Sequence, residues 1–253
     1  MTRPLSDMPV LILAGGLGTR LRAAVSNRPK ALAPIGNRPF LEIQMELLRD
    51  QGARHFVLCV GHLSAQILQT FGNGERLGVR IDYSEEKEQL RGTAGALKLA
   101  ERFFQQRALV LNGDTYLDWD HNELLEKHLE YAGEGALATC AVARLPDGAR
   151  FGSVDFDPSG RFLQGFREKN QELQGPAWLN AGAYVLEKSL LNWVAPDRMV
   201  SLEREIFPVL INQGEKIGVV RSSQPFYDIG TPEDLDRFRI MHRSRLHDRH
   251  RVA

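Results

Sequence analysis

Apolar residues fill PVLIL (9–13), with no polar position to mark a solvent side. A run of this kind predicts a strand covered on both faces, as in the middle of a parallel sheet. HFVLCV (55–60) and ALVLNGD (108–114) repeat the pattern, and VRIDY (79–83) supplies a further strand. Between them the spacing changes to a helical one. Behind Pro39, Phe40, Ile43, Met45, Leu47 and Leu48 form an apolar face, and Gly52 suits the stop. LSAQILQTF (63–71) predicts a short helix ended by GNG (72–74), and TAGALKLAERF (93–103) another. Strand–helix alternation to about residue 115 predicts an α/β, Rossmann-like fold: a mixed, mainly parallel sheet flanked by helices.

The pattern is less regular afterwards. ELLEKHLEY reads as a helix and GALATCAVA as a strand, and FGSVDFDPSGRFLQGF predicts two strands joined at Pro-Ser-Gly. WLNAGAYVLEK (178–188) is a strand, SLEREIFPVLINQG (201–214) a helix opening on Ser-x-x-Arg, and IGVVRSS and PFYDIG are short strands. A last helix starts with Thr231 as N-cap, Pro232 at its first position and two acids in its first turn. Its basic end, HRSRLHDRHR, reads as a solvated helix terminus. No repeat or low-complexity linker interrupts the chain, so one domain is expected over 1–253. Its parts are about 9–115, about 116–230 and the helix 231–253.

Composition narrows the partners. Thirty-two basic and 32 acidic residues cancel, so no global positive field favours nucleic acid, and an anionic substrate must be caught by local cations and backbone amides. No apolar run approaches the ~20 residues that span a bilayer, and the first residues carry no signal-cleavage pattern. A cytoplasmic protein without a membrane partner, monomer or homodimer, is the expectation. Cys59 and Cys140 sit in apolar runs and read as reduced core thiols.

The candidate chemistry starts after the first strand, at LAGGLGTR (13–20). A Walker A loop would need Gly-Lys-Ser/Thr, yet Gly18 is followed by Thr19 and Arg20. A dinucleotide loop would place glycine at position 21, which is leucine, and would end a second strand on an acid, whereas Glu42 falls in a helix. A third design fits: Gly15, Gly16 and Gly18 admit backbone amides to a phosphate, Arg20 adds a planar fork, and Lys30, behind Pro29, adds a compact charge. A glycine-rich turn with two surface cations is the plain alternative.

The stretch LAGGLGTRLRAAVSNRPKALAPI resembles the signature of the sugar-1-phosphate nucleotidyltransferases, departing at Ala23 where many members have proline. Further motifs follow in order. NGD (112–114) ends a strand, where open α/β sheets bind ligands, and FYDIGTPEDL carries Asp228. The resemblance implies that Asp114 and Asp228 ligate Mg²⁺, and that Arg20, Lys30, Asp114 and Asp228 form the catalytic set. It places Leu13, Ala14, Gly15, Gly16, Gly18, Thr19, Gly92, Thr93 and Gly113 around the nucleoside triphosphate. It places Glu168, Lys169, Asn180 and Gly182 around a sugar 1-phosphate, on added strands that form a rim of a GT-A-like fold. Gly182 would admit the sugar ring closely, and an asparagine amide donates and accepts at once.

The base-recognition segment, YSEEKEQLRGTAGAL (83–97), offers acids where uridylyl- and thymidylyl-transferring relatives often have glutamine. Guanine presents two adjacent donors that one carboxylate can accept, whereas uracil offers one donor flanked by oxygens. GTP is therefore favoured, with Glu85 as first choice and Glu86 second; a solvated acidic loop, with Glu88, is the alternative. Within the family the compact chain most resembles the D-glycero-α-D-manno-heptose 1-phosphate guanylyltransferases. Short N-acetylmuramate-1-phosphate uridylyltransferases are the nearest rival. Mannose-1-phosphate guanylyltransferases usually add a C-terminal extension.

Overall fold

In the computed structural model, residues 4–18, 21, 27–145, 153–167 and 176–252 are described. β1 (Val10–Leu13) lies between two parallel neighbours, β4 (His55–Val60) and β6 (Arg107–Asn112), and β4 pairs in parallel with β5 (Arg80–Glu85). This is the sheet that the doubly apolar runs predict. Its two faces follow the strand period of two. Val10, Ile12, Phe56, Leu58, Leu109 and Leu111 enter one core with helices α1 (Phe40–Asp50), α2 (Ser64–Phe71) and α4 (His121–Gly133). Leu11, Val57, Cys59 and Val110 enter the other, with α3 (Gly92–Leu99) and α5 (Phe207–Asn212). Each fully buried Leu, Ile or Val side chain contributes about 1.5–3 kcal/mol, so both faces drive the same layering.

The second half extends this sheet with antiparallel strands. β11 (Ala177–Glu187) pairs with β6 through residues 183–187 and with β8 (Ala136–Leu145) along most of its length. β9 (Ser153–Phe156) and β10 (Leu163–Arg167) form the hairpin expected around Pro-Ser-Gly, and β9 meets β11 at Leu179. β12 (Lys216–Ser222) closes the edge in parallel with β8. The β8–β11 register shifts between Asn180 and Tyr184, where Gly182 takes φ +67°.

Of the strands in two smaller ribbons, only the one within PFYDIG was expected from the sequence. β2 (Pro34–Ile35) pairs with β3 (Arg38–Pro39). β7 (Thr115–Leu117) pairs antiparallel with β13 (Phe226–Asp228). A third apolar cluster lies under this second ribbon, where Phe238 of α6 (Pro232–Val252) meets Phe40, Tyr116 and Tyr227 edge-on. Thr231 caps α6 as the sequence predicts, accepting the Asp234 N–H at 3.2 Å. The expected helix 201–214 is divided: Leu202–Ile206 form a wide π-turn before α5. Pro208 has no N–H to close an α-turn, and the N–H groups of Glu205 and Ile206 both reach the Ser201 carbonyl at 3.2 Å.

Cys59 and Cys140 are buried and unbridged, and burial pushes both thiols up to about 12, as inert core residues require. Among the described residues, no helix is long and apolar enough to cross a membrane.

Candidate active site

The site opens at the carboxyl ends of β1, β4 and β6. Beyond β1 the chain turns at once into the glycine segment, anchored by the Ala14 N–H on the Cys59 carbonyl (2.8 Å). The Gly113 N–H donates to the Leu13 carbonyl (2.9 Å), so the two loops lie against each other. A side chain at Gly113 would put Cβ 2.8 Å from that same carbonyl, so the contact requires glycine there. Gly18 takes φ +57°, and a Cβ there would lie 3.3 Å from Lys30 Cβ.

Three predicted charges converge on this point. Lys30 stands on a single 3₁₀ turn whose next residues, Ala31 and Leu32, are buried in the core. Its Nζ donates to Asp114 Oδ2 at 2.8 Å and lies 3.6 Å from Asp228 Oδ1. The two aspartates come from opposite halves of the chain, and backbone pairing joins them. Asp228 pairs with Thr115 in the β7–β13 ribbon, and the Ile229 N–H donates to the Asp114 carbonyl at 2.9 Å. Gly230 lies so close that a Cβ would meet Asp228 Oδ1 at 2.8 Å. Two hard carboxylates beside a phosphate-sized opening fit a cation that takes few protein ligands and completes its shell with water and phosphate oxygens. Among the described residues, no larger His, Cys, Asp and Glu group gathers elsewhere.

Two cavities meet here. One, of ≈ 190 Å³, is lined by Ala14, Gly18, Lys30, Gly113 and Gly230. The other, of ≈ 260 Å³, is lined by Gly15, Glu86, Leu90, Gly92, Thr93 and Asn112. Leu13, Gly16 and Asp114 line both, so they form one trough with the Lys30–Asp114 ion pair toward one end and Glu86 at the other.

At the acidic end, the acid that lines the wall is Glu86. Glu85 closes β5 and turns away, accepting the Ser64 hydroxyl at 2.6 Å, and Glu88 is exposed. Glu86 Oε1 accepts the Arg91 N–H at 2.6 Å. Burial raises the Glu86 carboxyl above its ordinary range, with the Arg91 N–H and guanidinium opposing the rise. At the start of α3, Gly92 takes φ +71°, and a Cβ there would lie 2.6 Å from the Val200 carbonyl. That carbonyl also takes the Ala94 N–H at 2.9 Å, which anchors the helix start beside the pocket.

On β11, the Asn180 amide is engaged within the protein. Its Nδ2 donates to the Tyr184 hydroxyl at 2.7 Å and its Oδ1 accepts the Gly182 N–H at 3.0 Å. Gly182 approaches Asn112 and Thr115: a Cβ would meet Asn112 Nδ2 at 2.7 Å and Thr115 Oγ1 at 2.8 Å. Thr19, Arg20, Glu168 and Lys169 lie outside the described residues. Asn112, Leu90 and Gly230 line the trough without having been singled out in the sequence. Asn112 and Gly230 are adjacent to motif residues, but Leu90 carries no sequence signal of its own.

Comparisons with known proteins agree with this geometry. The model of a family described as Nucleotidyl transferase matches residues 9–240. A D-glycero-alpha-D-manno-heptose 1-phosphate guanylyltransferase of Campylobacter jejuni is 35% identical, over 92% of this chain and 99% of the relative. A mannose-1-phosphate guanylyltransferase of Mycobacterium tuberculosis is 32% identical over 91% of this chain, which spans 63% of that relative. Among solved structures, the crystal structure of HddC from Yersinia pseudotuberculosis complexed with GMP-PN superposes with a TM-score of 0.78. It is 30% identical, with 90% of this chain and 96% of that one covered.

Proposed function

The chain belongs to the nucleotidyl transferase family, and on that premise we propose that it transfers a guanylyl group from GTP to D-glycero-α-D-manno-heptose 1-phosphate. The observation that carries this reading is the single trough with Lys30, Asp114 and Asp228 at one end and the Glu86 carboxylate at the other. A triphosphate at the first end leaves its base beside Glu86. A carboxylate accepts the two adjacent donors of guanine in a bidentate pair. The sugar assignment draws on the heptose relative, which this chain matches along 99% of its length.

In the reaction, an oxygen of the sugar 1-phosphate attacks the α-phosphorus of GTP. A new P–O bond forms, the bond to the bridging β-phosphate oxygen breaks, and pyrophosphate leaves with that electron pair. The attacking phosphate is already anionic near neutral pH, so the protein need not supply a strong base. Its task is to hold two anions in line against their repulsion. The glycine segment Leu13–Gly18 offers backbone to the triphosphate, and the Lys30 ammonium offsets charge growing on its phosphates. Arg20 from the same loop acts with Lys30, and Lys169 with Glu168 receives the sugar phosphate and hydroxyls, by their motif positions. Asp114 and Asp228 would hold Mg²⁺, which when bound would supply further positive charge to the phosphate oxygens.

Pyrophosphate release with Mg²⁺, from each of four nucleoside triphosphates against heptose, mannose, glucose and N-acetylmuramate 1-phosphates, tests the reading. Release with GTP and the heptose phosphate is expected. Release with UTP alone would overturn the guanine assignment, and release with mannose 1-phosphate alone would overturn the sugar.

A further inference from the structure

One carboxylate that lines neither cavity receives hydrogen bonds from two sides of the site. Glu203, half-buried in the π-turn, accepts at Oε2 from the Thr93 hydroxyl (2.9 Å) and at Oε1 from the Tyr184 hydroxyl (2.9 Å). The Ser201 hydroxyl adds a bond to Oε2 at 3.1 Å. Thr93 lines the base end of the trough. Tyr184, fully buried on β11, leads back toward the phosphate end. Its oxygen accepts from Asn180 Nδ2, and Asn180 Oδ1 accepts the Gly182 N–H. Gly182 then packs on Asn112 and Thr115, the two residues that bracket Gly113 and Asp114.

The directions of these bonds are fixed. Thr93 Oγ1 accepts the Leu202 N–H at 2.7 Å, which leaves its own proton for Glu203. Tyr184 accepts from Asn180, which likewise leaves its proton for Glu203. Burial pushes the Tyr184 phenol well above its usual range, with the Glu203 charge adding to the rise, so it remains a donor. Both arms therefore end on the oxygens of one carboxylate, which accept from the Thr93, Tyr184 and Ser201 hydroxyls. A glutamine in its place keeps one accepting oxygen and turns an NH₂ toward a hydroxyl whose proton already points at it.

We propose that Glu203 is a positioning residue that holds the base wall, through Thr93, in register with the Asp114 turn, through Tyr184, Asn180 and Gly182. The inference rests on the guanylyl-transfer reading for its assay. Its content is mechanical: the base seat and the reacting phosphate keep one spacing because both hang from the same carboxylate. A misplacement of about 1 Å at a reacting centre costs on the order of 10²-fold in rate.

Steady-state kinetics on the full chain test it, with melting temperatures measured alongside. Wild-type protein is first assayed with each nucleoside triphosphate, and the variants then use whichever one releases pyrophosphate. Absence of GTP-dependent release by wild type would overturn the functional reading and not the linkage, which is read from the variants alone. Glu203→Gln, which loses one accepting oxygen and so releases one arm, is expected to lower kcat by at least ~10-fold or to raise the nucleotide KM. Tyr184→Phe cuts only the arm to Asp114. It is expected to lower kcat while nucleotide KM stays within about twofold of wild type. Thr93→Val, which loses the hydroxyl, is expected to raise the nucleotide KM more than Thr93→Ser, which keeps it. Variants that melt earlier but keep wild-type kcat and KM below their transitions would overturn the proposal. If Glu203→Gln does not fold, Tyr184→Phe decides: lost kcat supports the linkage, and unchanged kcat overturns it.

Discussion

The two ends of the trough solve opposite electrostatic problems. At the phosphate end, opposite charges meet: Lys30 sits against Asp114 and within 3.6 Å of Asp228. Each charge there is partnered before any ligand arrives, and the arrangement suits a highly charged group that must be held and reorganised. At the base end a single carboxylate, Glu86, is set among apolar groups and accepts the Arg91 N–H, and burial works against its charge. A lone buried acid discriminates strongly, because a base that fails to supply donors leaves it unsatisfied. On the proposed reading, catalysis would use clustered, mutually compensated charge, and selectivity one carboxylate that burial works against.

Breaking the phosphate end gives the largest effect. Asp114→Asn is expected to reduce pyrophosphate release by about 10³-fold or more, with an unchanged circular dichroism spectrum. Retained turnover would remove Asp114 from the catalytic set. At the base end, Glu86→Gln is expected to lower kcat/KM for GTP by ~10–100-fold and to improve the relative use of UTP. An unchanged GTP/UTP ratio in that variant would show that Glu86 does not read the base. Gly15→Ala tests the space between the two ends, since the new Cβ would lie 2.5 Å from Glu86 Oε2 and 3.2 Å from the Gly61 nitrogen. About 1–3 kcal/mol of overpacking corresponds to a rise in GTP KM of about tenfold or more, with less effect on kcat.

The smallest expected effect on turnover near neutral pH concerns a group outside the trough. Burial lowers buried His121 from its ordinary 6.5 to about 4. The unfolded chain therefore takes up this proton first as the pH falls. Stability is unaffected above about pH 6.5 and declines from there toward pH 4, by roughly 3 kcal/mol in total. Melting temperatures across that window should fall less steeply in His121→Asn. An identical pH slope in the variant would assign the decline to other groups.

What the sequence made legible tracks where local chemistry decides the outcome. PVLIL and HFVLCV could only be doubly buried strands, and they occupy Val10–Leu13 and His55–Val60. Thr231, Pro232 and the first-turn acids defined the start of α6 without tertiary help. The NGD and DIGT motifs identified Asp114 and Asp228, whose shared contact with Lys30 the structure then displays. The choice between Glu85 and Glu86 was different in kind. Successive side chains leave a strand in opposite directions, so one residue of uncertainty at the end of β5 exchanges pocket for helix contact. β7 is three residues long, too short for a period, and gains its identity by pairing with β13, which PFYDIG had marked as a strand. Glu203 was invisible for a related reason: its partners, Thr93 and Tyr184, become neighbours only through the fold.

The β7–β13 ribbon also has a temporal consequence. Asp114 sits just before one strand of the ribbon and Asp228 ends the other, which follows β12 in chain order. The earlier parallel strands precede it by most of the chain, and domains begin to organise from the N-terminus during synthesis. A nascent chain can therefore display the glycine segment and a base seat while lacking the second carboxylate. On the proposed reading, Lys30 and Asp114 gain the second carboxylate only when β13 pairs with β7, so completion of the site is tied to late closure of the chain.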